Sequence, residues 1–454
     1  MDTETEVVVV GAGLAGLRCA RALREAGRDV VVCEAADTVG GRVATDVVDG
    51  HLADRGFQLL NPAYPAVGRW VDADALGLQP FPAGVVAPDL APGGTRLVLA
   101  DPRREPGALP ATLWGALGAG RAPRDAVALA RWAAPLLRQT LADPLPDAVA
   151  ARPPRRRGRS LASRLDPRTD RPLREALDAV GAAGELRRVL ERFLAGVVLD
   201  DSGSTSSHYV LLLLRSFLTG RPSLPADGMR ALPAQLAAPL GDRVLLGRRV
   251  EAVEDAPDGG VVVRAGGDSW RARAVVVAAD PPAAAALTGA PVAPTRGVVT
   301  CWWSLDEAPT DSALLHVDGG ARAAGPVVNT AVVSHAAPSY APAGRHLVQA
   351  SALLGPTGAP DRPEPSEPDV RRHAARLLGA PDGAEARWRL LARHVVEVAL
   401  PAQPAPLSTR RPTAVPGRPG VHLAGDHRDT ASIQGALVGG ERAARAVLAR
   451  LAGG

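Results

Sequence analysis

The run Val7-Val8-Val9-Val10, followed by Gly11-Ala12-Gly13-Leu14-Ala15-Gly16, constrains this chain more than any other part of its sequence. Four β-branched residues in a row read as a strand buried on both faces, the habit of a parallel sheet. Glycine ends the strand. Leu14 to Ala26 then reads as a helix, with Leu17, Ala20 and Leu23 on one face and Gly27 closing it. Asp29 to Cys33 reads as a second buried strand, so the chain opens as β-α-β and calls for an open parallel sheet. In this setting the spaced glycines have physical work. Gly11 makes the tight turn, Gly13 lets the backbone approach a pyrophosphate, and Gly16 lets helix and strand pack closely. Leu14 and Ala15 open the helix, whose free N–H groups and positive dipole end attract an anion. Glu34, with Ala35 beside it, stands 23 residues after Gly11. A carboxylate there accepts from ribose hydroxyls and disfavours a 2′-phosphate.

Val39-Gly40-Gly41-Arg42 follows closely. Two glycines turn the main chain beside a diphosphate, and a guanidinium can clamp phosphate oxygens with two parallel bonds. Joined to the first motif, it points to FAD rather than NAD. Near the far end, Leu423-Ala424-Gly425-Asp426 reads as a strand delivering Gly-Asp. Ser432-Ile433-Gln434-Gly435-Ala436 then opens a second helix.

In this order the motifs resemble the flavin-containing amine oxidoreductase superfamily, which includes monoamine oxidases, phytoene-type carotenoid desaturases and protoporphyrinogen oxidases. The resemblance covers about residues 7–67, 226–287 and 419–448. It implies that Val250 pairs its backbone with the adenine and that Asp426 accepts from a ribityl hydroxyl. It also implies that the helix start at Ser432, Ile433, Gly435 and Ala436 aims at the flavin N1/O2 edge. Asp54-Arg55-Gly56-Phe57-Gln58 matches a segment that passes the flavin ring. Gly56 would permit close approach, and Phe57 and Gln58 are the candidate catalytic residues.

Composition matters here for one reason. The 52 basic residues are all arginine, and the chain has no lysine. A GC-rich coding bias accounts for this, since Ile occurs once and Asn twice. The chemical consequence stands whatever the cause. Monoamine-oxidase-type enzymes use a lysine that holds a water at flavin N5 and two aromatics that cage the amine. Here the lysine is missing, and the cage position before the last helix falls on Ser432. The expectation moves from amines toward hydride transfer from carbon in a largely apolar small molecule, of desaturase, dehydrogenase or oxidase type. The alternatives are a protoporphyrinogen-oxidase-like enzyme, a lysine-independent amine oxidase, or a flavin-dependent reductase or isomerase. Intact Glu34, Arg42 and Asp426 argue against a lipid carrier that has lost the cofactor.

The expected fold is α/β. A discontinuous Rossmann-like FAD-binding domain spans 1–83, 223–288 and 406–454, and an α+β substrate domain spans 84–222 and 289–405. The first insertion reads as helical (126–141, 172–180, 185–194, 208–218) and the second as strand-rich, and residues 243–250 read as one strand. Trp302 and Trp303, adjacent on a strand, put one ring on each face, more as core than as pocket lining. Cys19, Cys33 and Cys301, like His208, His316, His335 and His427, have no metal-ligand spacing, so no metal is expected. Few, scattered cysteines suit a reducing cytoplasm. The acidic N-terminus reads as the start of a strand rather than a signal peptide, and no apolar run is long enough to span a membrane. Peripheral membrane contact is left open. Net charge is +4, and the basic run Arg152 to Arg159 carries no aromatics. It reads as a solvated linker, and no nucleic-acid partner is expected.

Overall fold

The computed structural model describes residues 2–89, 93–108, 122–142, 167–356 and 363–453. The valine run forms part of strand Asp2–Val10, which lies parallel to and between Val30–Cys33 and Asp268–Val277. Both its faces are covered. Val7 and Val9 pack with Leu17, Leu23, Met229 and Leu437. Val8 and Val10 pack with Val261, Val263, Ala284 and Leu423.

The register brings the strand ends together. Val10 is level with Cys33 and with Val277, and Val277 is level with Leu423 in the parallel strand Arg418–Leu423. The residues that follow, Gly11, Glu34, Ala278 and Ala424, therefore leave the sheet along one edge. In an open α/β sheet, ligands sit at that edge.

The helices that shape the site are α1 (Leu14–Glu25), α2 (Ala122–Ala142), α3 (Glu185–Val198), α4 (Ser207–Thr219) and α5 (Ile433–Gly453). α1 and α5 cross at very short range. A Cβ on Gly440 would stand 2.1 Å from the Ala15 carbonyl oxygen, and one on Gly16 would stand 1.9 Å from that of Gly11. Only glycine fits either place, so the end of the chain is seated on its beginning.

Two readings of the sequence need correction. Residues 243–250 are not one strand. Val244–Leu245 pairs in parallel with Val32 and Cys33, Gly247 turns the chain at a φ of 64°, and Val250–Asp255 begins an antiparallel meander. A glycine at positive φ breaks the run where hydrophobicity alone would continue it. The insertion 84–222 is also not wholly helical. It opens on the hairpin Gly84–Pro88 and Arg96–Ala100, which completes a seven-stranded sheet with Leu315–His316, Val327–Val332, His346–Pro356, Thr295–Leu305 and Arg389–Pro401. Each hairpin run is only five residues long, and the first begins on Gly84 and ends on Pro88, residue types depleted in strands. Helices α2, α3 and α4 then pack around Trp132, Leu194, Val210 and Leu211. The Arg152 to Arg159 run lies outside the described residues.

Candidate active site

A cavity of about 1200 Å³ opens where the sheet edge meets the substrate-side sheet and helices. That exceeds the roughly 300–1,000 Å³ of a pocket for one drug-sized ligand. Gly11, Gly13, Leu14, Ala15, Glu34, Ala35, Gly40, Gly41, Arg42, Gly56, Phe57, Gln58, Val250, Gly425, Asp426, Ser432, Ile433 and Ala436 all line it. Gly16 and Gly435 stand behind this surface, packed on the carbonyls of Gly11 and Thr430.

The N-termini of α1 and α5 both face the cavity. Ser432 Oγ accepts from the Gly435 N–H over 3.0 Å and caps α5. The Tyr209 hydroxyl donates to the Ala431 carbonyl over 2.5 Å and holds the turn before that cap. Glu34 accepts from the N–H groups of Ala12 and Ala36 at 2.6 and 2.9 Å, which fixes its carboxylate at the strand end. Arg42 donates to the Ala399 carbonyl at 2.8 Å and to Asp426 at 2.6 Å. Burial disfavours its charge, but Asp426 outweighs this and holds the guanidinium above its ordinary pKa. Gln58 donates its amide N–H to the Arg42 carbonyl over 2.9 Å, so that group is held by backbone. Phe57 meets Phe81 edge-on, with ring centroids 5.6 Å apart.

These residues fit FAD. A Cβ on Gly13 would meet nothing nearer than the Gly40 carbonyl oxygen at 3.9 Å, so the backbone there is open to the cavity. Carboxylates for hydroxyls (Glu34, Asp426), a guanidinium and two helix N-termini lie along its length.

The other half of the cavity is apolar and aromatic. The chain has four phenylalanines, and Phe57, Phe81, Phe193 and Phe217 all line it. Tyr64, Tyr209 and Trp132 join them. Apart from Phe57, the sequence motifs miss these residues. The readable signal was rarity: in a chain with 3% aromatics, each one is an outlier.

Asp54 is buried in a junction between elements. It accepts from Thr45 Oγ1, the Met229 N–H and the Tyr340 hydroxyl at 2.5, 3.0 and 2.9 Å, and desolvation pushes its carboxyl up to about 6. Trp302 and Trp303 are fully buried on opposite faces and do not line the cavity. Trp302 Nε1 donates to the Asp54 carbonyl and Trp303 Nε1 to Glu367. His427 is buried behind Gly425, where desolvation holds it down at about 4. Among the described residues, no group of three His, Cys, Asp or Glu could hold a metal ion, and no helix is long and apolar enough to cross a membrane.

A parallel-sheet edge and two helix N-termini on one cavity of about 1200 Å³ define a dinucleotide-binding protein of the doubly wound α/β class. The family described as flavin containing amine oxidoreductase matches residues 14–448, and the chain belongs to it. FAD is the cofactor, and the family's members are FAD-dependent enzymes. A putrescine oxidase from Kocuria rosea is 45% identical over 95 residues, 20% of each chain. A 15-cis-phytoene desaturase from Narcissus pseudonarcissus is 44% identical over 63 residues, 14% of this chain and 11% of that one. The chain thus matches a fifth or less of the length of these curated relatives. A solved structure of putrescine oxidase bound to putrescine superposes with a TM-score of 0.67 over 99% of this chain and 100% of that one, at 20% identity. That likeness is one of fold.

Proposed function

We propose that this protein transfers a hydride from a carbon atom of a largely apolar organic molecule to FAD, as a dehydrogenase, desaturase or oxidase. One observation carries the reading: a single cavity runs from the dinucleotide motifs to every phenylalanine in the chain. FAD, when bound, supplies the two-electron acceptor.

The protein's own part is to bind, orient and dry. Gly11 to Ala15 and Glu34 hold the dinucleotide end, and Arg42 and Asp426 hold the middle. α5 directs its positive end into the cavity, which favours negative charge developing there. The aromatic and aliphatic walls from α2, α3 and α4 exclude water and fix the substrate by shape. No lysine is available to hold a water, which sets the proposed chemistry apart from the lysine–water device.

The experiment is direct. Purified protein is scanned for flavin absorbance, then mixed without oxygen with candidate hydrocarbons, ketones, alcohols and amines, and bleaching is followed. The expected result is a yellow protein bleached by an uncharged, mainly apolar compound. A colourless protein that FAD cannot reconstitute overturns the reading.

A further inference from the structure

The floor of the substrate half carries a buried polar strip in apolar surroundings. Thr300, Ser351 and Asn329 lie level on three adjacent strands, with Gln349 two residues before Ser351 on the same face. All four are buried, and Asn329 and Ser351 line the cavity.

The hydrogen bonds give the strip a direction. Thr300 Oγ1 and Ser351 Oγ are 3.2 Å apart, and Ser351 donates to Gln349 Oε1 at 3.3 Å. Gln349 Nε2 then donates to Asn329 Oδ1 over 3.2 Å. Because Asn329 Oδ1 accepts from Gln349, its amide N–H groups are the free end of the chain. They lie against Gly196 of α3, where a Cβ would come within 2.2 Å of Nδ2, so the glycine makes room for the amide. On the cavity wall this donor has an apolar, low-dielectric setting, where an oxygen that accepts from it gains a hydrogen bond.

Among the described residues, this half of the cavity wall holds no unpaired carboxylate. Asp101 is the carboxylate reaching it, and Arg103 already binds it at 2.7 Å. The other acids on the cavity wall belong to the cofactor half or cap a helix: Glu34, Asp426 and Asp280. An ammonium ion entering here would lose its water and find no free counter-charge among the described residues.

Building on the proposed hydride transfer, we propose that Asn329 is a specificity-determining donor. It receives a carbonyl or hydroxyl oxygen of an otherwise apolar, uncharged substrate, so the cavity prefers such molecules to alkylammonium ions. Gln349, Ser351 and Thr300 are positioning residues that hold the amide with its N–H groups toward the cavity.

Three compounds of nearly equal size test this on the FAD-loaded protein: acetophenone, ethylbenzene and protonated 1-phenylethylamine. Binding is read from the perturbation of flavin visible absorbance. Acetophenone is expected to bind roughly tenfold tighter than ethylbenzene, with the ammonium weakest. Asn329→Leu should level acetophenone with ethylbenzene. Asn329→Asp, nearly isosteric, should gain binding of the ammonium, a result that mere loss of structure cannot give. Ser351→Ala, which only loosens the chain, should weaken the ketone preference partially. Wild-type protein that binds the ammonium as well as the ketone, or shows no ketone preference, overturns the proposal. So does Asn329→Leu with its preference intact. Flavin content, measured first, separates the readings: protein without FAD fails the hydride-transfer proposal, whereas loaded protein without ketone preference fails only this one.

Discussion

The Arg42 guanidinium donates to the Asp426 carboxylate over 2.6 Å, although 384 residues separate them in sequence. One belongs to the second glycine motif near the N-terminus, the other to the strand end before α5. Their pairing, with the Arg42 bond to the Ala399 carbonyl, ties both halves of the cofactor groove to the end of strand Arg389–Pro401. The middle of the groove is thus held together by protein groups alone, and three guanidinium N–H groups stay uncommitted there.

Replacing Arg42 by Ala should leave the Asp426 carboxylate buried without its cation. Breaking a buried pair costs ~3–5 kcal/mol. The lower end is expected here, because the Arg42 side chain is 31% exposed. Urea unfolding of the apoprotein measures the loss, and equilibrium dialysis should show FAD binding weakened by about tenfold or more. Adding Asp426→Asn to Arg42→Ala should recover part of the stability, since it removes the orphaned charge. A single variant as stable as wild type would dismiss the pair as a contributor.

The α1–α5 crossing makes a steric prediction. Gly440→Ala puts a methyl group 2.1 Å from the Ala15 carbonyl, and only backbone movement can relieve it. Overpacking of this kind costs about 1–3 kcal/mol. Displacing α1 also disturbs the helix N-terminus that faces the cavity, so Tm and FAD retention should fall together. Gly453→Ala, at the end of the same helix with nothing within 4 Å, is the control and should change neither.

Much of the cofactor half could be read from sequence, because its devices are local. Val7 to Val10 announce a doubly buried strand, Gly11 to Gly16 a turn into a helix, and Glu34 a strand end. Each signal lies within a few residues of what it predicts. The substrate half is built from long-range packing. Asn329 opposes Ser351 only because two strands pair, and Tyr209 reaches Ala431 across 222 residues. The strand Gly84–Pro88 is recognisable only through its pairing with Arg96–Ala100 on one side and with Leu315 and His316 on the other. No spacing rule encodes such contacts, so the sequence left the substrate pocket unread.

Tyr209→Phe removes one hydroxyl and leaves the Ala431 carbonyl, itself in a buried residue, without its donor. An unsatisfied buried acceptor costs about 1–3 kcal/mol. Ala431 directly precedes the Ser432 cap, so loosening that turn should raise the FAD dissociation rate, read by stopped-flow release of flavin fluorescence. Unchanged release with lowered Tm would confine Tyr209 to packing.

Acid sensitivity separates two kinds of buried group. His316, His422 and His427 are each held down at about 4 by desolvation, against 6.5 when exposed. Their neutral forms favour the fold, so this stability is complete above about pH 6.5 and is lost as pH falls toward 4. Asp54 has the opposite sign. Its carboxyl rises from 3.8 to about 6, chiefly through desolvation, so its contribution is present at low pH and is lost as pH rises through 6. At ~1.4 kcal/mol per pH unit, that is on the order of 3 kcal/mol. Three groups outweigh one, so the wild-type protein should lose stability between about pH 6.5 and 4.5. Asp54→Asn keeps acceptors for Met229 and Thr45 while removing the ionisation. Relative to wild type it should gain on the order of 2–3 kcal/mol between about pH 4.5 and 7.5, and its own acid loss should be steeper. Urea midpoints for both proteins across that range decide the matter. A difference that does not vary with pH would mean that the Asp54 carboxyl titrates alike in the folded and unfolded chains.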